Sequence, residues 1–428
     1  MSRRIGLAWA LVAAIVLAIV APAAIAVAQD DAADLELRGT VRAGRDVVPD
    51  IPIAVALPDG ETIGETAADA EGRWSVPLPG PGTYVVSIDT AAFPEGIALQ
   101  PGAPAEQSIE VTDRSQSVTF RLQSGATSAV VAQQNDFERI LNRFVSGIKV
   151  GLLVAMAAVG LSLIFGVTGL VNFAHSELVA FGAVTAFALE AWTPLPFLLV
   201  VVLAVMIGGL LGFTLESGLF GPLRRRKMNT ISLMVVSIGL AFVLRYLILI
   251  YFGSRQRTYE AFRIQTNFDI GPVSLPPKDY WIMLTAIVVL VGVGLMLQKT
   301  KLGTAMRAVA DNPPLAKSSG IDVDRTILSV WIMGAALAAL GGILLGLTQT
   351  VEWQMGERIL LLIFAAVTLG GLGTAYGAMV GGLAIGIASE VSVEWLDNDL
   401  KFLVALVALI LILLVRPQGI LGVRERFG

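Results

Sequence analysis

The sequence predicts a mainly α, polytopic membrane bundle of about nine spans with discontinuous helices, preceded by a small extracytoplasmic all-β sandwich. Three observations carry that prediction. The 428-residue chain is 55% hydrophobic and 15% charged, with a mean hydropathy of +0.75, where ordinary soluble domains carry about 25% charged residues. The apolar mass is uneven: residues 144–416 hold most of it, in runs close to the roughly 20 residues a helix needs to cross a bilayer. Residues 30–125 are polar and rich in turn formers.

The N-terminus reads as a signal peptide over 1–28. Arg3 and Arg4 form a basic start, residues 5–20 an apolar core, and Ala26-Val27-Ala28 a small-x-small cleavage site before Gln29. An uncleaved anchor is the alternative, and both deliver the β region outside the cytoplasm. In that region, 35–42, 51–57, 73–78, 83–88 and 117–122 are strand candidates. Pro58-Asp59-Gly60, Glu71-Gly72 and Pro79-Gly80-Pro81-Gly82 separate them as turns. Three short stretches here, Gly39-Thr40-Val41, Asp69-Ala70-Glu71-Gly72-Arg73-Trp74 and the run ending at Tyr84, resemble the carboxypeptidase-regulatory-like, transthyretin-like sandwich. A linker at 126–140 leads into a membrane domain over 141–428. Its spans are expected at 144–168, 177–192, 195–218, 230–252, 280–298, 326–350, 357–373, 375–392 and 400–415.

Charge orients the spans. Arg224, Arg225, Arg226 and Lys227 share one short loop; Lys299, Lys301, Arg307, Lys317 and Arg325 share another; Arg416, Arg424 and Arg426 lie in the tail. The positive-inside rule places all three in the cytoplasm. An exported N-terminal domain followed by nine crossings gives the same arrangement. Membrane lipids are thus the first implied partner. A net charge of −4 gives no reason to expect nucleic acid. The lack of cysteine excludes thiolate chemistry, and the single histidine, His175, excludes a multi-histidine metal site within one chain.

Three stretches interrupt the apolar pattern. The first runs from Gly166 through Gly169, Asn172, His175 and Ser176 to Glu177. Irregular backbone at membrane depth survives only where protein buries it or where it lines a cavity. Ser176 is the expected N-cap of the following helix, whose free N–H groups would suit a substrate carboxylate. A simple cytoplasmic turn is the alternative. The second stretch is Leu369-Gly370-Gly371-Leu372-Gly373 to Ala378, in the other half of the chain. Paired glycine-broken segments in two halves point to a transport pathway, and close helix packing through small residues would give the same pattern. The third is 301–322, too polar to span, read as two short helices. Asn312-Pro313-Pro314 ends the first of them and Gly320 caps the second, with Arg307 and Asp311 as candidate contact residues for another protein. Glu190, Glu216, Arg245, Glu390 and Glu394 are the ionisable residues in or near spans. Arg245 is the most interior, and reads either as a structural ion pair or as part of a pathway.

At these three stretches the chain resembles the membrane permease of branched-chain amino acid ABC importers, over about 140–425. The most specific pieces are Asn172-Phe173-Ala174-His175-Ser176-Glu177 after Gly166, and the loop from Ala305-Met306-Arg307-Ala308 to Gly320-Ile321. The family usually has glycine where this chain has Ser176. The resemblance implies one of two related permease subunits, served by two cytoplasmic ATPases and an extracytoplasmic solute-binding protein. The second permease would be a homologous chain or a second copy. Loop 301–322 would couple to the ATPases, and Gly166, Gly169, Asn172, His175, Glu177, Arg245, Gly370, Gly371 and Gly373 would line the pathway. No G-x-x-x-x-G-K-[ST] loop occurs in the sequence, so no cofactor is expected in this chain and ATP would be bound by the partners. Urea or short amides are alternative cargoes. An ion-coupled secondary transporter and a membrane-anchored signalling protein are the rival classes. An impermeant label or protease is expected to reach 301–322 only from the side opposite residues 30–125; reaching both from one side would overturn this topology.

Overall fold

The computed structural model describes residues 36–422, apart from 44–45, 49–50, 59–60, 70–71, 95–96, 100–103, 112–115, 125–135, 261–267, 271–272, 397–399 and 417. The expected signal peptide lies outside these residues, as do residues 126–135 of the expected linker. Residues 136–140, expected as linker, are already helical. The chain divides into two compact units, Val27–Phe137 and, beyond it, Glu138–Gly428.

The first unit is all-β. One sheet runs β2 (Asp46–Val47), β1 (Glu36–Ala43), β9 (Gln116–Ser124), β7 (Ile97–Leu99), with β5 (Arg73–Pro77) also on β1. The other runs β4 (Thr62–Ala67), β3 (Pro52–Ala56), β6 (Gly82–Ile88), β8 (Glu106–Val111). Strands occur at all five expected places. Sequence reading missed β2, β4, β7 and β8, which are short or polar and sit at sheet edges, where one-sided pairing tolerates sequences such as EQSIEV. Residues of both sheets, among them Leu37, Val41, Val55, Trp74, Val86 and Phe120, share one core. The short motifs noted above have local causes. A Cβ at Gly39 would overlap the Val118 carbonyl oxygen and stand 2.7 Å from the Trp74 ring, so the buried indole and the adjacent strand both require glycine there. The Tyr84 hydroxyl donates to the Gly80 carbonyl at 2.6 Å and ties β6 to its own turn.

The second unit is helical. Its elements are α1 (Asp136–Thr168), α2 (His175–Trp192), α3 (Phe197–Leu215), α4 (Gly221–Arg225), α5 (Thr230–Phe252), α6 (Pro277–Lys299), α7 (Lys301–Asp311), α8 (Pro313–Ser318), α9 (Val323–Thr348), α10 (Met355–Gly370), α11 (Ala375–Ser392) and α12 (Lys401–Val415). A π-helical turn, Glu216–Phe220, joins α3 to α4 as one continuous rod. Each of the nine expected spans has its helix. By length and composition six are long and apolar enough to cross a membrane: α1, the α3–α4 rod, α5, α6, α9 and α11; α12 is a shorter apolar helix. Two fall outside both groups: α2, whose first three residues are fully buried, and α10, which starts at buried Met355 and Gly356 but exposes Glu357 and Arg358. A hairpin between α5 and α6, Phe268–Ile270 with Val273–Leu275, and a bridge from Arg257 in the same connection to Val351 between α9 and α10 are not among the expected elements.

α1 and α9 form the centre, with most of their apolar stretches buried, whereas α5 and α6 present long exposed apolar faces, including Ile231, Ile250, Trp281 and Val288. Such faces suit lipid or another membrane chain. The centre is held by close approach of small residues. A Cβ at Gly342 of α9 would overlap the Val179 carbonyl oxygen of α2, and one at Gly182 of α2 would overlap Ala339 Cα. Side-chain-free crossing of this kind is how helices associate where burial of apolar surface gives no drive. Gly342→Ala is therefore expected to force α2 and α9 apart and lower stability by about 1–3 kcal/mol, read as a lower unfolding temperature in detergent; an unchanged temperature would contradict the crossing.

Candidate functional site

The Gly166–Glu177 segment is re-entrant. α1 ends at Thr168, and Gly169 takes a left-handed φ of 66°, which turns the chain. Six residues later the His175 ring lies back against the middle of α1, where its Nε2 donates to the Ala157 carbonyl at 2.9 Å. Ala157 and Thr168 are separated by about 16 Å of helix rise, a distance that six extended residues cover. Asn172 Oδ1 accepts from Ala174 N at 3.1 Å, and Phe173 N donates to Ser237 Oγ of α5 at 3.1 Å, so the returning backbone is hydrogen-bonded by protein. This is the protein-buried form of irregular backbone at membrane depth.

The expected cap of α2 is wrong in one respect. The N-cap is Ala174, and Ser176 lies inside the helix, fully buried. The first N–H groups are not free either. His175 N donates to the Asn172 carbonyl and Glu177 N to the Ala174 carbonyl, both at 3.2 Å. The tight turn into the helix thus takes up two of the donors that a substrate carboxylate would use.

Instead a carboxylate of the chain itself, Glu177, sits in the first turn of α2, fully buried. Arg245, past the midpoint of α5, donates to Glu177 Oε1 from Nε at 3.1 Å and from Nη2 at 2.8 Å. Its Nη1 is 2.8 Å from Oε2 of Glu357, which lies in the first turn of α10. Gly356 allows this meeting: a Cβ there would be 2.6 Å from the Ser176 carbonyl oxygen and 3.1 Å from Glu177 Oε2. Two helix N-termini thus face one arginine. The negative excess of two carboxylates over one guanidinium is offset by the two dipole ends, each worth about half a positive charge.

From Arg245 the two helices run opposite ways. Phe187 of α2 packs edge-to-face on Phe252, the end of α5, at 5.4 Å. Phe364 of α10 packs on Phe173 at 5.1 Å, and further on Gly373, with φ 81°, lies against Gly166. The two glycine-broken stretches read from the sequence therefore meet. Gly370 and Gly371 have close-packing causes: a Cβ on Gly370 would overlap the Gly377 carbonyl oxygen, and one on Gly371 would be 2.5 Å from the backbone nitrogen of Gly422. The tail after α12 folds back here, donating from Ile420 N to Leu369 O at 2.7 Å and from Leu421 N to Gly370 O at 2.9 Å.

Glu357 was missed by sequence reading, though a signal existed. Gly166, Thr168 and Glu177 recur at the same spacing as Gly346, Thr348 and Glu357, and in both places a helix ends at the threonine and the next begins seven residues later. The remaining charged residues near spans are paired: Glu216 with Arg224, Glu394 with Arg139 at 2.5 Å, Glu390 with Lys401 at 3.7 Å. Glu190 Oε2 accepts from Glu260 N at 3.3 Å. That contact borders a cavity of about 420 Å³ lined by Phe187, Gln256, Arg257 and Thr258.

In loop 301–322, α7 and α8 form as expected. Asn312 ends α7 and caps α8, its Oδ1 accepting from Leu315 N at 3.0 Å. Ser319 is the terminal cap residue of α8, and Gly320, with φ 84°, is the left-handed residue after it. Gly303, Met306, Val309 and Ala316 are buried, while Arg307, Asp311 and Leu315 are exposed. Among the described residues no cluster suited to a metal ion occurs.

A polytopic helical bundle in which two glycine-broken stretches from opposite halves of the chain meet, with a polar two-helix loop beside it, has the features expected of a membrane transport permease. The comparisons agree: the branched-chain amino acid transport system/permease component family matches residues 143–415, and the chain belongs to that family. It is 29% identical over 296 residues to the high-affinity branched-chain amino acid transport system permease protein BraD of Pseudomonas aeruginosa, covering 66% of this chain and 95% of that one. It is 29% identical over 299 residues to LivH, of the same description, from Escherichia coli K12, covering 67% and 96%. A probable branched-chain amino acid transport permease protein LivH of Methanocaldococcus jannaschii is 32% identical over 286 residues, covering 63% and 89%. The chain is thus a multi-pass membrane transport subunit, and the β unit lies outside the family match.

Arg245→Met would leave Glu177 buried without its partner, a change that costs about 3–5 kcal/mol. The unfolding temperature in detergent is expected to fall, and Glu177→Gln in the same chain to recover part of the loss; wild-type stability in Arg245→Met would refute the pairing.

Proposed function

We propose that this permease carries branched-chain or closely related amino acids inward as the transmembrane subunit of an ABC importer, with ATP hydrolysed by separate subunits. The observation that carries the proposal is the family match across 143–415, together with the names of the relatives at near full length. The partners in this assembly are two cytoplasmic ATPases, a second permease subunit (a homologous chain or a second copy) and an extracytoplasmic solute-binding protein. The positive-inside rule supports a cytoplasmic side for α7 and α8, and an exported N-terminus supports an extracytoplasmic β unit.

In this reading the pathway runs by the meeting of the two glycine-broken stretches, among Gly166, Gly169, Asn172, His175, Glu177, Arg245, Gly370, Gly371 and Gly373. Loop 301–322 is the coupling element. Its buried face anchors it to the bundle, and its exposed face offers Arg307, Asp311 and Leu315 to a partner. Asn312 and Gly320 fix the turns that hold α7 and α8 at their angle. ATP can shift the bundle between states only if the ATPases grip this loop differently in each.

Arg307→Ala with Asp311→Ala is expected to abolish amino acid uptake while the protein still reaches the membrane. Uptake at the wild-type rate in vesicles carrying the double variant would remove the coupling role. Uptake of labelled leucine by the assembled wild-type transporter, dependent on ATP and insensitive to an uncoupler, is the test of the function itself.

A further inference from the structure

The Arg245 cluster is asymmetric in a way that its two carboxylates, equivalent in the repeat, do not require. Glu177 has no exposed side-chain surface, whereas the Glu357 side chain is 52% exposed. Glu177 holds the guanidinium by two hydrogen bonds, Glu357 by one contact from Nη1. An exposed carboxylate at this depth is too costly against lipid, so its open side faces water, solute or another protein chain. Beside the pair lie two exposed apolar side chains, Phe242 one turn before Arg245 on α5 and Leu361 one turn after Glu357 on α10. Arg245 Cζ lies 5.6 Å from the Phe242 ring centroid.

We propose that the Arg245–Glu357 ion pair is the recognition site for the zwitterionic head of the transported amino acid. The α-carboxylate replaces Glu357 on Arg245 Nη1, and the released Glu357 takes the α-ammonium. The aliphatic side chain then rests on Phe242 and Leu361. Glu177 stays bonded to the guanidinium throughout; its Oε2 is buried and has no hydrogen-bond partner among the described residues, so it can accept one more donor. Exchange of one internal ion pair for two external ones conserves charge at the site and needs no proton transfer. It favours a zwitterion over a neutral amide or a sugar, because either of those would break the pair without replacing both of its partners.

This inference rests on the amino acid reading above, and the test separates the two. The fully assembled transporter, with ATPases, second permease and binding protein, is reconstituted in liposomes and uptake of radiolabelled L-leucine is measured. Glu357→Gln is expected to lower uptake about tenfold or more, with Glu357→Asp keeping most of it. Independently, Leu361→Cys places one thiol in a chain that has no cysteine. Saturating leucine is expected to slow its modification by an impermeant thiol reagent about threefold or more. Wild-type liposomes that do not accumulate leucine would defeat the functional reading. Wild-type accumulation with Glu357→Gln within about twofold of it, or thiol modification of the Leu361→Cys variant at a rate that leucine leaves unchanged, would defeat this inference.

Discussion

One arginine holds two helix starts together, and most of the membrane unit is arranged around that constraint. α2 begins inside the bundle and α10 against its first turn, where helix-start N–H groups and dipole ends would be costly in a medium without water. The chain meets that cost locally. The turn before α2 satisfies its first donors from the carbonyls of Asn172 and Ala174. Glu177 and Glu357 offset the dipoles, and Arg245 joins the two carboxylates. Remove the arginine and two like charges face each other at a helix–helix contact close enough to exclude a Cβ at Gly356.

The same constraint explains where small residues are needed. To bring two helix N-termini to one side chain, α2 must cross α9 almost in backbone contact, at Gly182 and Gly342, and α10 must turn back beside α11 at Gly370 and Gly377. The glycines around 370 therefore serve packing first. Their meeting with Gly166 through Gly373 is a result of that packing, and it brings together two stretches that lie on opposite halves of the sequence. The outer helices carry a different composition because they answer a different demand: their exposed faces are apolar and bear few charges.

Loop 301–322 and the Arg245 cluster are linked through one long helix. The loop is joined to the bundle through the buried faces of α7 and α8 and through α9, which starts at Val323 just beyond it. α9 is also the helix whose Gly342 seats α2. A movement imposed on the loop thus has a rigid element leading to the helix that carries Glu177.

Much of this was legible in the sequence, because hydrophobic length, charge bias and turn chemistry are local properties. They determined the helical places, the division into a β part and a membrane part, the two helices of loop 301–322 and the interruptions at 166–177 and 369–378. What they left undecided depends on which segments touch. Ser176 reads as a cap by residue type, yet the chain re-enters tightly enough that Ala174 takes the position and Ser176 is buried in the helix. β4 and β8 are not among the strand candidates because their pairing partners, not their own side chains, make them strands. Arg245 was open between an ion pair and a pathway role, and Glu357 went unnoticed, since residues so far apart in the chain acquire a relation only when two re-entrant turns bring them to one point. Local sequence sets what each segment is; only close packing in three dimensions sets which charges meet, because the energy of a buried charge belongs to its neighbours as much as to itself.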